Sequence, residues 1–149
     1  MSDFDDVGTF HKQFDLPVSD GHTRPLKPSV TLFRLRFLIE ELAEYAAASG
    51  FPYLTRALRH VSAEAFCEHD PVDLPEVADA LVDLVYVALG TAHYHGIPWQ
   101  AVWDEVQRAN MKKVRATDPS ASRRGSALDV VKPVGWTPPD VAGVLERNR

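Results

Sequence analysis

A chain of 149 residues with one cysteine, Cys67, and a formal net charge of −5 is long enough to bury a hydrophobic core without a stapling disulfide and has no partner for an internal one. This excludes a disulfide-built secreted scaffold and a cysteine-rich zinc site, and it suits a reducing cytoplasm. The acidic balance excludes a protein that coats nucleic acid, whose affinity draws on clustered Lys and Arg. A small polyphosphate stays open as a ligand, provided metal ions bring the compensating charge.

The first residues, Met1-Ser2-Asp3-Phe4-Asp5-Asp6, are acidic and lack the basic-then-apolar layout of an export signal, so a cytoplasmic location is expected. Phe4, Val7, Phe10 and Phe14 stand at helical spacing and predict a short amphipathic helix over Asp3 to Asp15, its aromatic stripe turned to a core or a subunit contact. Leu16 to Ser29 holds three prolines and a glycine and reads as an extended loop, which makes residues 1–28 an N-terminal helix and loop. Ser29 is the expected cap of a long helix to about Ser49, stopped by Gly50 and Pro52, with Leu32, Leu35, Leu38, Leu42 and Tyr45 inward. A further helix is expected from Tyr53 to about Cys67.

Pro71 and Pro75 break the chain, and Pro75 suits the first position of a helix ending near Gly96. That helix is apolar almost all round, which predicts a central place in the fold. Its most apolar stretch, Val77 to Ala92, is too short for a membrane span and carries Asp79 and Asp83, so no membrane association is expected. Pro98 begins the next helix, with Val102, Val106, Ala109 and Val114 facing inward. Residues 116–137 turn polar and irregular, although Leu128 to Val131 has the composition for a local strand pairing. Thr137-Pro138-Pro139-Asp140 introduces a last short helix to about Arg147. With no internal repeat and no convincing run of strands, the expected fold is all-α, a bundle of four or more helices in one domain spanning 1–149.

The chemistry lies in the acids. Glu41 and Glu44 stand one helical turn apart, and Glu76 and Asp79 repeat the spacing on the later helix. Glu40 precedes Glu44 by a turn and Asp83 follows Asp79 by a turn, so two antiparallel helices would face each other with four to six carboxylates across a shared groove. No Lys or Arg occurs between Phe37 and Thr55, or between Asp70 and Gln107. Carboxylates crowded beside apolar packing must protonate, stay in water or bind cations. All-oxygen ligation selects a hard ion, Mg²⁺ or Mn²⁺, which keeps sites for water and phosphate oxygens. A lone ExxE usually decorates a solvated helix face. A second pair inside the run Val-Ala-Asp-Ala-Leu-Val-Asp-Leu-Val changes the balance, because acids in an apolar helix rarely lack a partner.

Taken in order, Glu40-Glu41-Leu-Ala-Glu44 and Glu76-Val-Ala-Asp79 resemble the EExxE and ExxD signature of the MazG-like all-α nucleoside triphosphate pyrophosphatases, a group that includes phosphoribosyl-ATP pyrophosphohydrolases and dimeric dUTPases. Asp83-Leu-Val-Tyr-Val, Glu105-Val-Gln-Arg-Ala-Asn-Met-Lys-Lys113 and Lys132-Pro-Val-Gly-Trp-Thr-Pro-Pro-Asp140 extend the likeness from Leu35 to the C-terminus. The resemblance implies metal ligation by Glu41, Glu44, Glu76 and Asp79, with more than one ion per site. It gives Glu40, beside Glu41, the catalytic role of orienting or deprotonating the attacking water. Asp83 then supports the ligands by hydrogen bonds or takes a further ion, and Asn110, Lys113 and Lys132 hold the polyphosphate. The implied reaction is attack at the α-phosphorus of a nucleoside triphosphate, dUTP or a purine such as dGTP, releasing a monophosphate and pyrophosphate from a homodimer or homotetramer. The interval from Glu44 to Glu76 is longer than in compact members, which leaves the base preference open.

Other readings carry less. His69-Asp70 matches the dipeptide of HD phosphohydrolases but sits beside Pro71 without companion ligands. His93 and His95 suit a helix end, and Lys113 equally suits the negative end of a helix dipole. Arg123-Arg124 reads as loop charge, and Trp136 or an N-terminal aromatic is a candidate for base stacking. A di-iron carboxylate bundle needs Glu-x-x-His, which is absent. The non-catalytic alternative is a helical bundle whose acidic groove binds a basic partner, indifferent to Mg²⁺.

Overall fold

The computed structural model describes residues 2–61, 71–122, 124–126 and 128–148. Among them the elements in chain order are α1 (Asp3–Gln13), α2 (Pro28–Ala48), α3 (Pro52–Arg59), α4 (Leu74–His95), α5 (Trp99–Asn110), the two-residue strands β1 (Val114–Arg115) and β2 (Val130–Val131), and α6 (Val141–Arg147), with a 3₁₀ turn at Pro119–Ala121. The fold is all-α. None of these helices is long and apolar enough to cross a membrane. The chain divides into two compact units, Thr23–Val82 and Met1–His22 with Asp83–Arg149.

In the unit Thr23–Val82, α2 begins two residues earlier than the Ser29 cap predicted. Pro28 occupies the first turn and Lys27 precedes it with no side-chain capping bond, because proline's fixed φ and missing N–H already suit that position. At the other end Gly50 adopts φ +84°. The Phe51 N–H then reaches the Ala46 carbonyl at 2.9 Å and the Gly50 N–H the Ala47 carbonyl at 3.1 Å, a left-handed cap that only glycine takes without strain. Pro52 starts α3 at once, and α3 packs on α2.

Small side chains make that contact: Ala43 and Ala46 are 1% and 3% exposed, and Thr55 of α3 is buried with its hydroxyl on the Phe51 carbonyl at 2.8 Å. This corrects the expected inner face of α2. Leu35, Leu38, Leu42 and Tyr45 remain between 43% and 50% exposed, because the alanine edge, not the leucine face, is the side α3 covers. The helix expected to reach Cys67 ends at Arg59; Cys67, His69 and Asp70 lie outside the described residues.

α4 is the larger correction. It forms as expected, with the Asp73 carboxylate accepting the Glu76 N–H at 3.3 Å at its start, but it is not central in the single chain. Val82, Val85, Tyr86 and Val87 are 58% to 76% exposed, and Ala92 is its one buried residue. The extensively packed helix pairs, α2 with α3 and α5 with α6, do not include it.

In the second unit, Ser2 caps α1 in a reciprocal box with Asp5, whose carboxyl is held below its usual pKa, chiefly by the hydrogen bonds from the Ser2 backbone and hydroxyl. α1 docks on α5 through polar tips: the Trp99 and Trp103 indoles donate to Asp3 and Asp6 at 3.1 and 3.0 Å, and the Gln107 amide donates to the Asp6 carbonyl. Phe14 is buried, with its ring edge-on to Phe10 at 4.7 Å, whereas Phe4 stays 79% exposed. Ala109 of α5 and Val144 of α6 are buried. Glu105 of α5 accepts the Asp140 N–H at 2.7 Å and Asp140 caps α6 through the Gly143 N–H.

The expected pairing near Leu128–Val131 is present, with Val114 opposite Val131 and Arg115 opposite Val130 in an antiparallel ladder. Val114, expected to face inward from a helix, is a strand residue and exposed. The loop between the strands is pinned by Asp129, which is 1% exposed and accepts from the Ser122 hydroxyl at 2.7 Å, the Val130 N–H at 2.9 Å and Arg124 Nη1 at 3.3 Å.

Candidate active site

Helical spacing sets where the acids stand. On α2, Ala43 and Ala46 mark the side against α3; Glu41 and Glu44 fall away from it, and Glu40, one turn before Ala43, stands at its edge. Glu40 is half-buried; Glu41 and Glu44 are exposed. On α4, Glu76, Asp79 and Asp83 follow one another at single-turn intervals, all exposed. Glu76 lies in the first turn of α4, where the unsatisfied N–H groups favour a negative side chain.

The predicted EExxE and ExxD rows therefore exist as rows. Among the described residues α2 packs on α3, and no three Asp, Glu, His or Cys side chains converge tightly enough to hold a metal ion. The physical reason is the exposure of α4, whose apolar sides are left uncovered and so do not press its acidic row against another helix.

The other polar group forms at the end of α5. Asn110 is the last residue of the helix, half-buried, and its carbonyl accepts the Lys113 N–H at 3.0 Å. Lys113 and Lys132, far apart in sequence, meet at Trp136, their ammonium groups 5.9 and 4.7 Å from the centre of its indole. The Trp136 Nε1–H donates to the Ala109 carbonyl at 2.9 Å. Trp136 was legible only as a base-stacking candidate; its place in Lys132-Pro-Val-Gly-Trp136 was the signal that tied it to a lysine.

Nearby charges are structural. Glu105 receives Arg108 Nε at 2.8 Å as well as the Asp140 N–H, and these bonds, with Arg108 the larger cause, hold its carboxyl at a pKa of about 2. Arg124 serves Asp129, while Arg123 lies outside the described residues. His93 and His95 occupy the last turn of α4 and are exposed, as a helix end favours.

No curated protein matches the chain. A solved structure of a protein from Exiguobacterium sp. 255-15, described as an NTP pyrophosphohydrolase, is similar to it along almost its whole length, covering 99% of this chain and 96% of that one at 25% identity and a TM-score of 0.69. The sequence model of phosphoribosyl-ATP pyrophosphohydrolase matches residues 7–110, a span that takes in Glu40, Glu41, Glu44, Glu76, Asp79, Asp83 and Asn110 and stops before Lys113 and Lys132. With the two acidic rows in order on an all-α scaffold, the chain belongs to the phosphoribosyl-ATP pyrophosphohydrolase family.

Proposed function

We propose that this pyrophosphohydrolase cleaves a nucleoside triphosphate between the α- and β-phosphates, giving a monophosphate and pyrophosphate, and that it does so as a homodimer or homotetramer in the cytoplasm. The observation that carries the reading is the family match over residues 7–110, which contains both acidic rows in sequence order. The full-length likeness to a protein described as an NTP pyrophosphohydrolase supports the substrate class.

The donors suit Mg²⁺ or Mn²⁺ in kind, being carboxylate oxygens on solvent-facing helix sides, but among the described residues of a lone chain they are not gathered. A second copy covering the apolar sides of α4 supplies the missing packing, and Glu41, Glu44, Glu76 and Asp79 are then the ligands, with Asp83 in support or taking a further ion. When bound, the ions neutralise the polyphosphate and polarise the α-phosphoryl group. Glu40, half-buried beside this row, is assigned to hold the attacking water and take its proton. Asn110, Lys113 and Lys132 are assigned to the phosphates, the lysines offsetting charge on the departing pyrophosphate.

The substrate is proposed to be a deoxynucleoside triphosphate, dUTP or a purine such as dGTP. Phosphoribosyl-ATP, for which the family is named, carries the same type of anhydride and belongs in the same assay. Purified protein is tested against canonical and non-canonical triphosphates and phosphoribosyl-ATP, with Mg²⁺, Mn²⁺ or EDTA, and products are separated. Monophosphate and pyrophosphate, lost with EDTA, is the expected result. Diphosphate and free phosphate overturns the cleavage site. Inactivity throughout, with tight Mg²⁺-indifferent binding of basic peptides, favours instead a non-catalytic acidic bundle, which the outward-facing carboxylates of the single chain suit.

A further inference from the structure

The segment Lys132 to Trp136 lies beyond the part of the chain that the family model matches. Its conformation follows from its residues. The Trp136 N–H donates to the Pro133 carbonyl at 3.0 Å, closing a four-residue turn, and Gly135 in the third position takes φ +78°, the left-handed conformation that such a turn requires there. A turn this tight returns the chain on itself, so the residue entering it and the residue leaving it are neighbours. Lys132 enters, Trp136 leaves, and the Lys132 ammonium lies 4.7 Å from the indole centre.

Lys113 arrives from a separate element, just past the end of α5, with its ammonium 5.9 Å from the same centre. The ring they share is held in place: its Nε1–H is committed to the Ala109 carbonyl in the last turn of α5, and Ala109 is 1% exposed. Two ammonium groups gathered at one ring repel each other, and the negative π face offsets part of that cost. Two cationic side chains thus share one ring in a chain whose net charge is −5. Such a pair suits a multiply charged anion. A nucleobase stacking on the face that Lys132 covers would have to displace that ammonium.

Resting on the reading that the substrate is a nucleoside triphosphate, we propose that Trp136 is a positioning residue whose anchored indole holds Lys113 and Lys132 together as one binding point for the pyrophosphate portion of the nucleotide. The ring touches the lysines and not the base. Its removal therefore weakens binding equally for every base.

The test combines Trp136→Leu, Trp136→Phe, Lys132→Met and the double variant Trp136→Leu with Lys132→Met. Each is titrated calorimetrically with inorganic pyrophosphate and assayed for KM and kcat on the best triphosphate, with melting temperature as a check on folding. Trp136→Leu is expected to weaken pyrophosphate binding and lower kcat/KM by about tenfold, and Trp136→Phe, which restores an aromatic face without the Nε1–H anchor, to recover part of the loss. Lys132→Met is expected to weaken binding in the wild type and to do little more in the Trp136→Leu background. Unchanged pyrophosphate binding in Trp136→Leu, or an equal penalty for Lys132→Met in both backgrounds, overturns the proposal. A rise in KM that varies with the base overturns it in favour of base stacking.

Should Trp136→Leu fail to fold, Gly135→Ala strains the turn and displaces Lys132 with the indole intact, and it must then weaken pyrophosphate binding; wild-type binding there rejects the idea. A wild type that hydrolyses no nucleotide refutes the proposed reaction, while the pyrophosphate titrations still decide the role of Trp136.

Discussion

Replacing Val85 on α4 by Glu is expected to dissociate the protein into monomers that keep their helices. Val77, Leu81, Leu84 and Val85 recur at helical spacing along one side of α4, and each retains between 43% and 58% of its surface in the single chain. Full burial of such a side chain is worth about 1.5–3 kcal/mol, so covering the remaining half yields about 1 kcal/mol each. Four residues on each of two copies give about 8 kcal/mol, enough to meet the several kcal/mol that association costs. A glutamate at position 85 removes about 1 kcal/mol and places an unpaired carboxylate in the contact at several kcal/mol more. In a two-fold assembly both penalties occur twice. The loss of roughly 8 kcal/mol is more than a ten-thousandfold weakening of the dissociation constant. Sedimentation velocity at micromolar concentration, with far-ultraviolet circular dichroism on the same samples, reads both outcomes. Val134→Glu, at a loop side chain that is fully exposed, is the control and should leave the assembly intact. A wild-type monomer at those concentrations, or a Val85→Glu variant of unchanged mass, refutes the reasoning.

Glu41→Gln or Asp79→Asn should cut pyrophosphate release by about a hundredfold or more while the circular dichroism spectrum stays helical; full activity in either variant rejects its place among the ligands. Asp129→Ala strands the Ser122 hydroxyl and the Val130 N–H and leaves Arg124 without its carboxylate, at a cost of about 3 kcal/mol. The melting temperature should fall by about 6–12 °C, and a drop within a degree would mean that the loop carries little of the stability. The depressed pKa of Glu105, about 2 against an ordinary 4.5, means that its bonds to Arg108 and Asp140 stabilise fully above pH 4.5. That contribution is lost as pH falls from 4.5 towards 2. Melting curves across this window should therefore drop more steeply for the wild type than for Glu105→Gln; parallel curves would sever the link between this carboxylate and the docking of α6.

The ends of elements were legible because they depend on local chemistry. Gly50 with Pro52 stops α2, Asp140 after two prolines starts α6, and Val130–Val131 found its strand partner. The start of α2 was missed by two residues because Ser29 competed with a proline at a position where proline needs no hydrogen bond. What failed was the assignment of inward faces. A leucine stripe such as Leu35, Leu38 and Leu42 announces that it will be covered; it carries no information on whether the cover comes from the same chain. α3 took the alanine edge instead, because small side chains let two helices joined by a one-turn connection approach closely. The meeting of Lys113 with Lys132 was also out of reach, since it depends on where two loops end and not on any spacing in the sequence.

The same distinction bears on the acidic rows, which among the described residues gather at no metal-sized point. On α4, helical geometry sets Glu76, Asp79 and Asp83 on a different side from Val77, Leu81 and Leu84, roughly a third of a turn away. One side of the helix therefore asks for apolar cover and the other for positive charge, and both stay exposed in the single chain. Apolar contact is non-directional and tolerant of sliding, whereas carboxylates facing one another repel unless a cation lies between them. Under the proposed assembly the apolar side supplies the affinity and the acidic side selects the alignment, since only an arrangement with ions between the rows avoids that repulsion. A helix with this two-sided composition is thus better suited to completing a site on association than to forming one alone.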